Sequence, residues 1–451
     1  MSIQTHECKN GFKLVYQKSE NRSPNTAINV FCDMGPIYEE DHYRGVSHLI
    51  EHMCYKGTLK KKHSYSLFTA FDEKGAHINA YTCKRYTCYT LHCADTYVKP
   101  CVMLLSDMML NSTFVKKEFD KEHRVVIEEN IKDKEDNMQV LATNTDKDIY
   151  IGTPFEYPVD CVEYHNSGNL QYKNVVDIYH QFYVPGNMIM SVVSNLSFDF
   201  FVKLVRQTHF HRKGSPNNIL DLQTHKMEII YKSLQSPVQH GIHIHIQKNS
   251  SIGVTYLAIS FRTCSQYSDD KYVLDVLANL LGGYFSSKLF MILREENGLT
   301  YTNTVTSNNT EFCGDFTITT ISDPSTFIKN GNKKGVLPIV IDILNSILKG
   351  GITQRELTIA KHNLHGKHIL NMNHMNKISI YNGEQTLLFP NNPHTSYEKL
   401  YDTYYKSITL KDINRVLRTY FIPNTMNVCI LGTLYASEKN VRTICEKIGD
   451  P

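Results

Sequence analysis

The chain has no tryptophan, no pair of cysteines in CxxC spacing, and no apolar run of the roughly 18 residues that a membrane-spanning helix needs. The last absence leaves no membrane span to be expected. The 12 cysteines are scattered along 451 residues without the spacing of a small disulfide scaffold, and no secretory segment precedes them. That places the chain in a reducing intracellular compartment, the cytoplasm or an organelle matrix. Cys83, Cys88 and Cys93 recur every five residues, but along a strand they alternate faces, so they read as small packing residues. Neither sign of charge dominates: 48 basic against 45 acidic residues leave +3, which excludes the basic field of a nucleic-acid-binding design. The run of Lys60 to His63 is a solvated loop on this reading. The first residues, MSIQTHECKNGFKLVYQ, pass almost directly into a strand pattern and lack the Arg-rich, acid-poor character of an organelle import leader. With no tryptophan and many Lys, Asn and Tyr, the composition is that of an AT-rich genome.

What is present is concentrated in residues 45 to 58, GVSHLIEHMCYKGT. This stretch holds HxxEH, the inverted form of the HExxH zinc-peptidase motif. On a helix, positions i, i+3 and i+4 share one face, which aims His48, Glu51 and His52 into one small volume. Two neutral imidazoles there can hold Zn²⁺, and the carboxylate beside them can take a proton from activated water. The bland alternative is a solvated histidine pair on a surface helix. Against it, apolar Val46, Leu49, Ile50 and Met53 flank the polar face, and turn-like GPIYEEDHYRG precedes it.

A catalytic zinc site needs three protein ligands and an open position for water. Residues 115 to 137 read as a long charged helix with Phe119, Val126 and Ile127 as its inward stripe. Glu122 and Glu129 stand seven apart, two helical turns, so both can face the motif helix. Glu128 competes with its neighbour and points about 100° away, so only one of the pair can be the ligand. Taken singly, each reads better as a solvated helix charge.

The length accommodates about three average domains or two larger ones. A weak internal repeat favours two. Residues 182–196, FYVPGNMIMSVVSNL, and 421–434, FIPNTMNVCILGTL, align at an offset of 238, pairing Pro185 with Pro423, Met188 with Met426 and Leu196 with Leu434. Amphipathic NVVDIYHQ and DINRVLRT precede them at the same offset. Each half runs strand, helix, further strands, two long helices, then helix, Pro turn, strand and short helix. The fold class is therefore α+β, two homologous halves, each an antiparallel-rich sheet backed by helices. The expected division is a metal-bearing half 1–210, a linker 211–238 and a second half 239–451. In the second copy of the motif helix, DDKYVLDVLANLLGG at 269–283, the positions opposite HxxEH are apolar, so that half cannot hold the same metal and is left to wall the substrate cavity.

These residues resemble the inverzincin peptidases of the pitrilysin type, in the branch of the mitochondrial processing peptidase beta subunit and the short bacterial zinc peptidases. The resemblance runs over nearly the whole chain. It implies a processing-peptidase-like fold, one Zn²⁺ per chain on His48, His52 and Glu129, Glu51 as general base, and Glu122 as the carboxylate behind the ligands. KGAHINAYTCKRYTCY resembles the family's substrate-binding edge strand, which assigns Asn79, Ala80 and Tyr81 to extended peptide. Arg85 stands where relatives commonly carry an acidic residue, which alters the charge expected of the cleft. LGGYFSSKLFMILREENGLTY resembles the block whose Arg and Tyr act on the substrate carbonyl, here Arg294 and Tyr301, with Gly282 and Gly283 as loop residues allowing close backbone approach. By resemblance the short members close their chamber with a partner subunit, so a dimer, of like chains or with a related one, is implied.

The implied activity is zinc metalloendopeptidase hydrolysis of peptide or unfolded protein by metal-activated water. Its rival is a catalytically silent assembly or core subunit sharing the fold, like the core proteins of respiratory complex III. An intact HxxEH with a correctly spaced Glu129 favours the enzyme, since a structural subunit has no physical need of a metal triad.

Overall fold

A computed structural model describes residues 3–20, 23–161, 170–212, 216–233, 239–390 and 397–449. Its strands are β1 (Gln4–Glu7), β2 (Lys13–Lys18), β3 (Asn25–Cys32), β4 (His77–Thr82), β5 (Thr87–Ala94), β6 (Met188–Ser194), β7 (His243–Lys248), β8 (Thr255–Thr263), β9 (Thr300–Asn309), β10 (Gly314–Ser322), the short ribbon β11 (Lys329–Asn330) and β12 (Lys333–Lys334), and β13 (Met426–Gly432). Its helices include α1 (Val46–Cys54), α2 (Lys116–Asp133), α3 (Asn137–Ile149), α4 (Pro216–Ser233), α5 (Asp270–Gly282) and α6 (Met375–Leu388).

The first sheet has the order β1-β2-β6-β3-β5-β4 and the second β7-β13-β8-β10-β9. Without β1 the two orders are the same topology, β2 matching β7 and β6 matching β13. In each, only the pair beside that edge is parallel, β2 with β6 and β7 with β13; the rest are antiparallel. The α+β duplication is therefore real, and the 238-residue offset read from the sequence falls on β6 and β13 with equal bounds, each entered through a 3₁₀ turn opening on Pro185 or Pro423. Both strands are buried throughout, which is why their sequences are apolar without alternation.

The chain divides into two compact units, each of three segments: Met1–Lys132, Tyr157–Leu234 and Leu370–Ser396 in one, Asp133–Glu156, Gln235–Ile369 and Tyr397–Pro451 in the other. This differs from contiguous halves. Helix α6, from late in the chain, belongs to the first unit, where Ser379 Oγ donates to Ser191 O (2.9 Å), Asn382 Nδ2 to Gln17 Oε1 (2.9 Å) and Asn29 Nδ2 to Asn376 Oδ1 (2.9 Å). Gly383 lies so close to Phe31 that an added Cβ would stand 2.0 Å from its ring. Helix α3 follows α2 in sequence but packs on β8 and β13 of the second unit. Most of the expected linker is also structured: 213–215 and 234–238 lie outside the described residues, whereas 216–233 form α4. Buried Lys226 anchors α4 in the first unit, donating to Asp33 Oδ2 at 2.7 Å and Asn187 Oδ1 at 2.6 Å, because a buried ammonium needs a charged partner.

Candidate metal centre

Helix α1 is fixed before its functional face is considered. Gly45 enters it with φ of 87°, a left-handed conformation that favours glycine. Glu39, buried, accepts from the amides of Gly45 (2.7 Å) and Ser47 (2.8 Å), placing a carboxylate at the positive end of the helix. Val46, Leu49, Ile50 and Met53 are at most 1 % exposed, so the apolar stripe sets the helix's rotation and turns His48 and His52 the other way.

The two imidazoles meet with Nε2 atoms 3.2 Å apart, and Glu129 Oε2 lies 3.5 Å from His52 Nε2. The donor atoms of His48, His52 and Glu129 all fall within 4.8 Å of one another. Zinc–nitrogen bonds of 2.0–2.1 Å in a tetrahedron give a nitrogen–nitrogen edge of about 3.3 Å, so this donor set suits zinc. The Nδ1 atoms face carboxylates: His48 Nδ1 is 2.5 Å from Asp160 Oδ1, and His52 Nδ1 is 3.3 Å from Glu122 Oε2. Such partners fix the tautomer that leaves Nε2 for a metal. Of the two adjacent glutamates, Glu129 is in the trio and Glu128 is exposed outside it.

Glu122 is buried and its other oxygen takes Lys56 Nζ at 2.6 Å. Burial alone would push its acid up; the bonds from His52 and Lys56 outweigh it and hold the carboxyl below its ordinary range. Burial also opposes charge on His48, yet Asp160 outweighs it and holds that imidazole's pKa above the usual value. Glu51 differs from both. It is 8 % exposed, burial raises its pKa, and its hydrogen bond, 2.6 Å from Thr82 Oγ1, only partly offsets the rise.

Thr82 ends β4, which among the described residues pairs only with β5 and is the edge of the first sheet. Asn79 is exposed there and Ala80 and Tyr81 are half-buried, so the expected peptide-binding strand is an edge that lies against α1. The Ala80 amide is capped by Asn79 Oδ1 at 2.9 Å, a bond that an incoming strand would displace.

Arg85 does not present a free charge: Nη1 lies 3.0 Å from Asp33 Oδ1 and the guanidinium sits over the Tyr38 ring. In the second unit, Gly282 ends α5 rather than lying in a loop, and the expected close approach is to β9, where a Cβ would meet Val305 N at 3.0 Å. Arg294 lies in a π-helical segment, Phe290–Glu296, with its guanidinium 4.7 Å over the Tyr301 ring and Nη1 donating to Tyr301 O at 3.3 Å. Wide helical turns of this kind recur at functional sites. Tyr301 is 80 % exposed.

The sequence reading missed Asp160, Lys56 and Thr82. Lys56 had only a weak signal, its place four residues beyond His52, because α1 ends at Cys54 and the lysine lies in the turn that follows. Asp160 had none, since no periodic element carries it.

Comparison with known proteins gives consistent results. The family model described as Insulinase (Peptidase family M16) matches residues 14–163, and that described as Peptidase M16 inactive domain matches 169–364. An uncharacterized zinc protease of Bacillus subtilis is 27 % identical over 93 % of this chain and 96 % of its own length. The beta subunit of the mitochondrial processing peptidase of Caenorhabditis elegans is 30 % identical over 44 % of the chain and 42 % of its own. Among solved structures, a protease from Helicobacter pylori superposes with a TM-score of 0.81 at 20 % identity, covering 96 % of this chain and 99 % of that one. A Peptidase M16 inactive domain from Pseudomonas fluorescens gives 0.81 at 18 %, over 97 % and 99 %. Among the described residues no helix is long and apolar enough to cross a membrane.

Proposed function

Because the chain belongs to the M16 insulinase family of peptidases, we propose that it is a zinc metalloendopeptidase acting on extended peptide or unfolded protein, with one zinc on His48, His52 and Glu129. The observation that carries this reading is the convergence of two Nε2 atoms and one carboxylate while both Nδ1 atoms turn to Asp160 and Glu122. A solvated histidine pair needs no such backing. Zinc bound there would lower the pKa of water to about 7 and polarise the scissile carbonyl.

The chain's own residues do the rest. Glu51, buried beside the histidines with a raised pKa, accepts a proton from water and returns it to the leaving amine. Asp160 and Glu122 hold the imidazoles in register. The open edge of β4 takes the substrate as an added strand, backbone hydrogen bonds giving affinity and side-chain pockets giving selection. Arg294 and Tyr301 keep the role the family resemblance gives them: Tyr301→Phe and Arg294→Ala lower kcat without changing zinc content. One relative is by name a subunit, and a dimer, of like chains or with a related one, is proposed on that ground and read by light scattering.

The test is Glu51→Gln beside His48→Ala, assayed on a peptide library by mass spectrometry with and without chelator. Glu51→Gln keeps zinc and loses about 10³-fold or more in cleavage, whereas His48→Ala loses both. Undiminished cleavage by Glu51→Gln removes the base; chelator-resistant cleavage removes the metal mechanism.

A further inference from the structure

The second unit carries another convergence of metal-type donors, unrelated to α1. Strand β7 reads HIHIQK, and its alternation sends Ile244 and Ile246 to the hydrophobic core of that unit. His243 and His245 therefore share the opposite face. Beside them, β13 runs parallel with Cys429 in register with His245. Cys429 is 2 % exposed and lies off the main core, with Leu141, Ala258 and Leu431 in a small cluster at α3.

Asp148, in the last turn of α3, comes down onto this face. Its Oδ2 is 2.9 Å from His245 Nδ1 and its Oδ1 is 3.3 Å from His243 Nε2. The donor atoms of Asp148, His245 and Cys429 lie within 4.8 Å of one another.

We propose that Asp148, His245 and Cys429 form a second metal site, a structural one for a divalent transition ion of the zinc class, with His243 facing the other carboxylate oxygen of Asp148. One imidazole, one carboxylate and one thiolate are a borderline-soft set that suits Zn²⁺ or Co²⁺ and disfavours Mg²⁺ and Ca²⁺, which take oxygen ligands. The site is proposed to tie elements of the unit together rather than to perform hydrolysis. Its work is mechanical: it ties the end of α3 to β7, the open edge of the second sheet, which has one strand partner. The competing reading is a carboxylate shared by two histidines above an ordinary buried cysteine. It predicts no thiolate–metal bond.

That bond is the test, in full-length chain. A His48→Ala/His52→Ala variant removes the histidines of the first site, and Co²⁺ serves as probe. The expected result is one tightly held equivalent with a near-ultraviolet thiolate-to-cobalt band. Adding Cys429→Ser abolishes the band with the circular dichroism unchanged, and adding His245→Ala removes the equivalent. The thermal midpoint of the double variant rises with added Zn²⁺, and that rise disappears with His245→Ala. No retained equivalent, binding at millimolar metal only, or a band that survives Cys429→Ser overturns the proposal. Because these readouts use no cleavage assay, failure here leaves the peptidase reading intact, and loss of that reading leaves the cobalt result standing.

Discussion

Helices α1 and α5 stand in matching places, each packed against the two strands at the same end of its sheet, yet one presents a histidine pair and the other fills a core. Helix α1 is buried on one stripe, leaving His48 and His52 partly exposed. Helix α5 buries Val273, Leu274, Val276, Leu277, Ala278, Leu280 and Leu281, nearly all round. Their carboxylates diverge accordingly. Glu122, facing α1, is held ionised by an imidazole and an ammonium. Asp275, within α5, meets a Tyr405 hydroxyl at 2.7 Å and one more distant lysine, and burial pushes its acid up to about 6. The same scaffold thus stores charge where partners are supplied and suppresses it where they are not.

The largest effect on this contrast should come from cutting the partners that keep the first unit polar. Asp160→Ala and Glu122→Gln each weaken zinc binding about 10- to 100-fold, the usual cost of losing a carboxylate behind a ligating histidine. Competition with a calibrated chelator measures it. If both variants bind like the parent, the Nδ1 contacts do not support a metal.

A smaller effect is expected at Thr82. Its hydroxyl stabilises the Glu51 carboxylate, so Thr82→Val raises the Glu51 pKa further, and the acid limb of kcat/KM moves to higher pH. A hydrogen bond to a charged group contributes about 1.5–3 kcal/mol, so the acid limb moves up by about one to two pH units. A fall in activity with an unmoved acid limb would mean that Thr82 merely shapes the strand.

How much of this was legible follows from the range of each signal. HxxEH was readable because i, i+3 and i+4 are fixed by the helix itself, and the duplication because fully buried β6 and β13 keep Pro, Met and Leu in step. The choice of Glu129 over Glu128 was not settled by periodicity, since adjacent residues differ only in rotation and the neighbouring helix decides between them. Placement of α3 and α6 was hidden for another reason. Helix α6 meets its sheet through Asn376, Ser379, Asn382 and Gly383 together with Ile380 and Leu387, a seam that mixes polar, small and apolar residues and leaves no continuous apolar stripe to read. Arg85 was expected to alter the charge of the cleft and Lys226 fell in the expected linker, but both pair with Asp33 from distant parts of the chain.

The effect with least bearing on zinc and cleavage, and the one confined to the second unit, is that of Asp275→Asn on stability. The folded-state pKa of about 6 lies above the ordinary 3.8, so between those values the folded chain holds the extra proton. Asp275 therefore imposes no penalty below pH 3.8 and an increasing one as pH rises through 6, worth up to roughly 3 kcal/mol by neutrality. The amide of Asn accepts from the Tyr405 hydroxyl without ever ionising. Asp275→Asn should thus be more stable than the parent at pH 7, equal to it near pH 4, and unchanged in zinc content and cleavage, with urea midpoints across that range as the measure. Equal midpoints at pH 7 would show that Asp275 is solvated or paired as well as Glu122 is, and the electrostatic contrast between the units would then reduce to the histidines alone.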